Sequence, residues 1–336
     1  MATDTDSKRI LQMCFASLLT QLLGVAAELG IADLLADGPR PVDELAHRTG
    51  AQPDGLYRVL RALAAHGIFT EVLPRTFQLT PAATALCQDV PGSMRDLARY
   101  FGMPARNHAF VELLHAVRTG EPAFDHVHGT DYWSYLADHA DDAAIFDNAM
   151  GNLSRQVHAV ALEACDLSGA RLLVDVGGGN GQLASALLGR YPELRAVVFD
   201  LPHVVAGADK VLADAGVTHR ASTASGDFFT AVPQGGDAYV LSMILHDWDD
   251  ARATAILANV RRAMDPGGKV VVVDAVIPEG DQPHLGKLLD IVMLAMLPGK
   301  ERTEAEFAAL FQAAGLRHVE TRAPSSPTSV LVAVAT

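Results

Sequence analysis

Cysteine is nearly absent from this chain. Cys14, Cys87 and Cys165 are the three in 336 residues, and no two form a C-x-x-C pair. That implies no disulfide framework and suits a reducing, cytoplasmic setting. Basic residues are scarce as well: 26 Lys and Arg stand against 40 Asp and Glu, a net charge of −14. Residues 1–150 alone carry 11 against 19, a net −8. Such a surface argues against a nucleic-acid or anionic-membrane partner. Internal repeats and low-complexity tracts are missing. So is a clean apolar run of membrane-spanning length. Ile10–Gly30 comes nearest, but Gln12, Thr20, Gln21 and Glu28 interrupt it, and Asp4 and Asp6 precede it where a signal peptide wants a basic start. It reads as a helix greasy on most faces, buried against a partner.

What is present is enough chain for two domains, nearly half of it apolar. Pro41–Arg48 and Asp54–His66 read as helices, and Ile68–Val72 and Thr76–Leu79 as a hairpin. Helix-turn-helix followed by a hairpin is a winged-helix pattern. Arg58 and Arg61 lie on its second helix, yet the local charge is not basic, so the expected role is a scaffold rather than a DNA reader. Residues 93–118 and 131–165 read as helical, with Gly120–Pro122 and His126–Gly129 as loops. The expected division is residues 1–100, a helical connector over 101–167, and a second domain over 168–336.

That second domain opens on Leu172-Leu173-Val174-Asp175-Val176-Gly177-Gly178-Gly179-Asn180-Gly181 and continues to Phe199-Asp200. An apolar strand feeds a glycine turn, a helix follows, and a second strand ends in an acid. Glycines let a ligand approach the backbone, and the helix N-terminus offers free N–H groups. The acid can accept hydrogen bonds from ribose hydroxyls. A dinucleotide fingerprint needs a third glycine at position 182, which is Gln182. The G-x-G-x-G spacing favours S-adenosylmethionine (SAM), which has no pyrophosphate to cradle.

Further strands are expected at 195–199, 237–242 and 269–274, with a poorly patterned one before Gly226. Helices are expected at 181–190, 203–214, 250–264, 284–296 and 303–314, then strands at 316–322 and 328–334. Alternation of this kind gives an α/β fold with a parallel sheet covered on both faces, and ligands gather at the carboxyl ends of its strands. At those ends stand Asp200, Gly226-Asp227-Phe228, His246, Asp274 and Glu301. Asp247, Asp249 and Asp250 read as acids opening a helix rather than as a metal site. His126 and His128 read as a loop pair without a third ligand.

The motifs VDVGGGNG, FDLPHV, GDFF, LHDWDD, MDPGGKVVVVD and PGKERTEAEF, in this order over nearly the whole chain, resemble the SAM-dependent small-molecule O-methyltransferases. These are the plant caffeate/isoflavone type and bacterial natural-product relatives. The N-terminal segment is similar to that family's dimerisation domain. The resemblance implies a Rossmann-like class I methyltransferase domain behind a mostly helical winged-helix dimerisation domain, and hence a homodimer through residues 9–100. It places Ser154, Gly177, Gly179, Asp200, Gly226, Asp227, Phe228 and Ser242 around SAM, with S-adenosylhomocysteine (SAH) as the spent cofactor and no metal. His246 would be the general base, flanked by Asp274 and Glu301. Phe146, Met150 and Met293 would line a small aromatic acceptor.

Two positions depart from the plant pattern: Ser242 stands where a lysine is common, and Leu297 where a polar residue is. Two other readings carry distinct tests. A nicotinamide-dependent oxidoreductase would bind NAD and not SAM. A winged-helix ligand-responsive regulator would show salt-sensitive DNA binding. Within the family, a nitrogen or carbon acceptor is the alternative to oxygen.

Overall fold

The computed structural model describes residues 4–322 and 328–336. The chain divides into two compact units, residues 1–112 with 127–155 and residues 113–126 with 156–336. The stretch 101–167 is thus shared between them.

The first unit begins with the helix Asp4–Glu28. Its length and composition would suffice to cross a membrane. The sequence reading has it buried against a partner, and in the single chain Ile10, Leu11, Met13, Phe15 and Leu18 are exposed. Further along, the helix crosses Arg95–Gly102 so closely that a Cβ on Gly24 would stand 2.8 Å from the Gly102 Cα. Strand β1 (Arg40–Pro41), helix Val42–Thr49 and helix Pro53–Ala64 follow, then β2 (Phe69–Leu73) and β3 (Thr76–Leu79). The three strands pair antiparallel in the order β1-β3-β2. Leu45, Leu60, Leu63, Phe69 and Phe77 fill the core beneath them. Pro53 takes the first turn behind Gln52, whose side chain accepts the Gly55 N–H.

The second unit is built on seven strands. They are β4 (Leu172–Val176), β5 (Arg195–Asp200), β6 (Ala221–Ser225), β7 (Ala238–Ser242), β8 (Lys269–Ala275), β9 (Leu316–Arg322) and β10 (Thr328–Ala335). Their order is β6-β5-β4-β7-β8-β10-β9. The first five are parallel, and β10 is antiparallel to both β8 and β9. The chain order of the parallel strands reverses beside β4, with β5 and β6 to one side and β7 and β8 to the other, and such a switch point is where ligands bind at the strands' carboxyl ends. Val174, Val176, Val240 and Val272 are fully buried because helices cover both faces, and the two faces carry separate cores. The weakly patterned strand is β6, at the sheet edge, where alternating half-exposure replaces a continuous apolar run. One expected loop is wrong: His126–Gly129 is largely the end of a helix, Ala123–His128.

Candidate active site

The glycine loop takes its shape from contacts only glycine permits. Gly177, Gly179 and Gly181 all have positive φ, at 70°, 57° and 78°. A Cβ on Gly177 would overlap the Ile244 side chain, and one on Gly178 would stand 2.8–2.9 Å from the Asp175 carboxyl and Val198. The Gly177 N–H donates to the Phe199 carbonyl at 2.8 Å, tying the loop to β5. Gly181 starts the helix Gln182–Arg190 with no side-chain cap of its own; the Gln182 N–H donates to Asn180 Oδ1 at 3.4 Å and the Ala184 N–H to the Asp175 carboxyl.

Asp200 ends β5 beside this loop. Its Oδ2 accepts the Gly179 N–H at 2.9 Å and its Oδ1 accepts the Leu201 N–H at 2.7 Å. Burial raises its pKa, and those two donors oppose the rise. Next to it, Gly226 packs so tightly on the Phe199 ring that a Cβ would lie 2.8 Å away. Asp227 Oδ1 accepts the Phe229 N–H at 2.8 Å. The buried Asn259 then donates to the carbonyls of Phe228 and Phe229, at 2.7 and 2.8 Å. Phe228 and Phe229 meet edge to face, and Trp248 stands perpendicular to Phe229 at 4.8 Å. Loop, acid and aromatic turn thus stand next to one another at the carboxyl ends of β4, β5 and β6.

His246 lies on the short 3-10 turn Leu245–Asp247 just past β7 and is buried. Nδ1 donates to Glu301 Oε1 at 2.9 Å, while Asp274 Oδ1 lies 4.0 Å away. This bond sets Nδ1 as the nitrogen that carries the proton in the neutral ring. Asp274 and Glu301 are the flanking acids the sequence names, and both are buried. Asp247 corrects the sequence reading. It opens no helix; its Oδ1 lies 3.4 Å from His246 Nε2. Asp249 is the true N-cap, accepting the Arg252 N–H, and Asp250 pairs with Arg302.

Burial alone would lower the histidine's pKa, but Asp247, Asp274 and Glu301 override it and hold the imidazole well above the ordinary histidine range. Burial pushes both Asp247 and Asp274 upward as well.

Sequence reading missed the supports behind this turn. Arg302 is completely buried. It donates to the carbonyls of Leu245 (2.9 Å) and Trp248 (2.7 Å) and to Asp250 Oδ1 (2.9 and 3.0 Å). The Glu301 N–H donates to Asp290 Oδ1 at 2.9 Å. Met243, one residue past Ser242, has a φ of 57°, uncommon for a residue with a side chain. Of the remaining predicted residues, Met293 is buried on the helix Gly286–Met296 in this second unit. Phe146, Met150 and Ser154 lie on the helix Ala140–Ala164, in its portion belonging to the first unit. Phe146 there packs edge to face on Tyr100 and Tyr132. His126 stacks on His115 at 3.9 Å, and His128 bonds the Ala105 carbonyl.

Comparison with known proteins agrees with this geometry. Residues 110–317 match the O-methyltransferase domain, and residues 11–89 match the O-methyltransferase dimerisation domain. Phenazine O-methyltransferase PhzM of Lysobacter antibioticus is 47% identical over 309 residues, covering 92% of this chain and 90% of that protein. The crystal structure of LaPhzM superposes with a TM-score of 0.93 at 45% identity, over 98% of this chain and 99% of the other. NcsB1, an O-methyltransferase from neocarzinostatin biosynthesis solved with SAM and 2-hydroxy-5-methyl naphthoic acid, gives 0.83 at 35% identity, over 94% and 96%. Glycine loop, strand-end acid and buried histidine thus stand in a chain similar along its length to such enzymes: it belongs to the SAM-dependent O-methyltransferase family.

Proposed function

We propose that this enzyme methylates a hydroxyl of a small aromatic metabolite, of phenolic or polyketide type, with His246 as general base. The observation that carries this reading is the Nδ1–Glu301 bond of 2.9 Å, which leaves Nε2 as the atom to meet an acceptor hydroxyl. SAM, when bound, supplies an activated methyl on a sulfonium. The chain's part is to hold the acceptor oxygen in line with that methyl and to take the hydroxyl proton on Nε2. A phenol of pKa about 10 is mostly protonated at neutral pH, so removing its proton as it attacks accelerates transfer.

Gly177, Gly179 and Ser242 would lie along SAM, with Ser154 near its methionine end. Asp200 would take the ribose hydroxyls, and Gly226, Asp227 and Phe228 would frame the adenine. Phe146, Met150 and Met293 would line the acceptor. The matched dimerisation domain and the exposed apolar face of Asp4–Glu28 support a homodimer through residues 9–100. The acidic charge supports an enzyme without nucleic-acid or anionic-membrane partners, and the three scattered cysteines support a cytoplasmic setting.

The test is mass-spectrometric detection of methyl transfer from SAM to phenols, hydroxy-aromatic acids and polyphenols. A methylated product with SAH released supports the reading. Methylation only of amines, or SAM failing to bind, overturns it.

A further inference from the structure

The amino ends of the parallel strands open on a cavity of about 780 Å³, on the sheet edge opposite the site described above. That volume is within the range of small-molecule sites, about 300–1,000 Å³. The cavity belongs wholly to the second unit. Arg171 immediately precedes β4, Arg195 opens β5 and Arg220 immediately precedes β6, and all three line it. The backbone sets them side by side. The Arg195 N–H donates to the Arg171 carbonyl and the Ala196 N–H to the Arg220 carbonyl, each at 2.9 Å. Because β6, β5 and β4 are neighbours in the sheet, three cations start in a row two strand spacings wide, roughly 10 Å.

Such a row stands out in a chain of net charge −14. Like charges on adjacent strands repel, and the fold does not neutralise these. Among the described residues, Arg171 alone of the three reaches a carboxylate, Asp237 Oδ1 at 3.4 Å. Asp237 is already engaged, since its Oδ2 accepts the N–H groups of Arg171 and Leu172 at 2.8 and 3.0 Å. Arg220 donates to the carbonyls of Leu188, Tyr191 and Leu194, each at 3.0 Å. Those bonds cap the end of the helix Gln182–Arg190 and fix the guanidinium without a counter-ion. Arg195, in the middle, is exposed, and among the described residues its side chain has no hydrogen bond or ion pair. Packing and capping account for Arg220 but not for Arg195.

The donor set indicates what completes the row. A guanidinium fork matches the oxygens of a carboxylate or a phosphate. Thr218 and Ser222 add exposed hydroxyls to the same lining. Three forks and two hydroxyls exceed what the two oxygens of one carboxylate accept, and the row is too wide for a single phosphate. We propose that the amino end of the sheet binds the diphosphate group of a small metabolite, held by Arg195 between Arg171 and Arg220. This site is separate from the one for SAM: β5 runs from Arg195 at one to Asp200 at the other, about 17 Å of strand. It goes beyond the methyl-transfer reading and does not depend on it.

The experiment is calorimetric titration of inorganic pyrophosphate into the SAH-loaded full-length enzyme, with inorganic phosphate and citrate compared at matched ionic strength. One pyrophosphate per chain is expected, bound at least about 10-fold more tightly than either comparison anion. Arg195→Gln should weaken it about 10- to 100-fold, the range of hydrogen bonds to a charged group, and Arg195→Lys should recover part of the loss. Affinity for SAH should be the same in both variants, which shows that they are folded. Absence of saturable binding overturns the assignment, as does pyrophosphate binding that survives Arg195→Gln. Phosphate or citrate bound as tightly as pyrophosphate overturns the diphosphate class. Methyl transfer is untouched by any of these outcomes, so the proposed function stands or falls separately.

Discussion

Gly299 and His246 occupy adjoining space with no room for one more carbon. A Cβ on Gly299 would overlap the His246 carbonyl oxygen and stand 2.7 Å from the Trp248 nitrogen. Those are backbone atoms, which cannot rotate aside as a side chain can. The loop Pro298–Arg302 is therefore pressed against the turn that bears the base, and it carries Glu301 to the imidazole. Gly299→Ala is expected to push the two apart and break the Nδ1–Glu301 bond. Turnover should fall at least about 100-fold, since small misplacements of reacting groups cost that much. SAM affinity, set at the glycine loop, should change little. A Gly299→Ala enzyme with normal turnover would show that the loop yields freely.

The base itself makes a double prediction. His246→Ala should lower turnover by about 10²–10⁴-fold with SAM binding retained. In the unmodified enzyme three carboxylates raise the imidazole pKa, so the neutral form that accepts a proton grows as pH rises above neutral. Turnover should climb from pH 7 toward pH 9. A rate independent of pH over that interval, with transfer rather than product release limiting, would remove His246 from the role.

How much of this was legible in the sequence follows from the range of the contacts involved. The alternation of apolar runs and amphipathic segments located the parallel strands, because burial on both faces leaves a local signature in composition. Gly177–Gly181, Asp200, His246 and Asp274 were legible because they lie at strand ends, whereas Glu301, in a loop between two helices, was legible through the motif PGKERTEAEF. Asp247 was misjudged because a carboxylate two residues before Asp249 looks like helix-opening charge, and only the 3-10 turn aims it at Nε2. Arg302 and Gly299 gave no local sign. Their partners lie more than 50 residues away, and an arginine in the run Lys300–Arg302 reads as surface charge until its burial is seen.

Arg302 yields a prediction that separates stability from chemistry. Its side chain satisfies two carbonyls at either end of the catalytic turn and pairs with Asp250. Arg302→Met would leave those carbonyls without a donor, and breaking such a buried arrangement costs about 3–5 kcal/mol. Urea unfolding should register a loss of that order. Turnover should fall further than global unfolding explains, since the turn loses both anchors. A variant as stable as the parent would mean that water replaces the guanidinium without cost.

Asp175 provides a test of buried charge away from the base. It lies within β4 beneath the glycine loop, is fully buried, and its Oδ2 has no partner. Burial raises its pKa to about 7, with the Ala184 backbone N–H opposing. In the unfolded chain the value is about 3.9. Between these limits the folded protein holds a proton that the unfolded chain has released. Its contribution to stability is therefore full below about pH 4 and is lost as pH rises through about 7, at up to about 1.4 kcal/mol per pH unit. Asp175→Asn cannot release that proton. The variant should gain on the unmodified enzyme from pH 5 to pH 8 in urea unfolding. Contributions from the His246 cluster are common to both proteins and cancel in the difference. Parallel stability curves over that range would mean that Asp175 is ionised in the fold and that the loop above it supplies more donors than the geometry indicates.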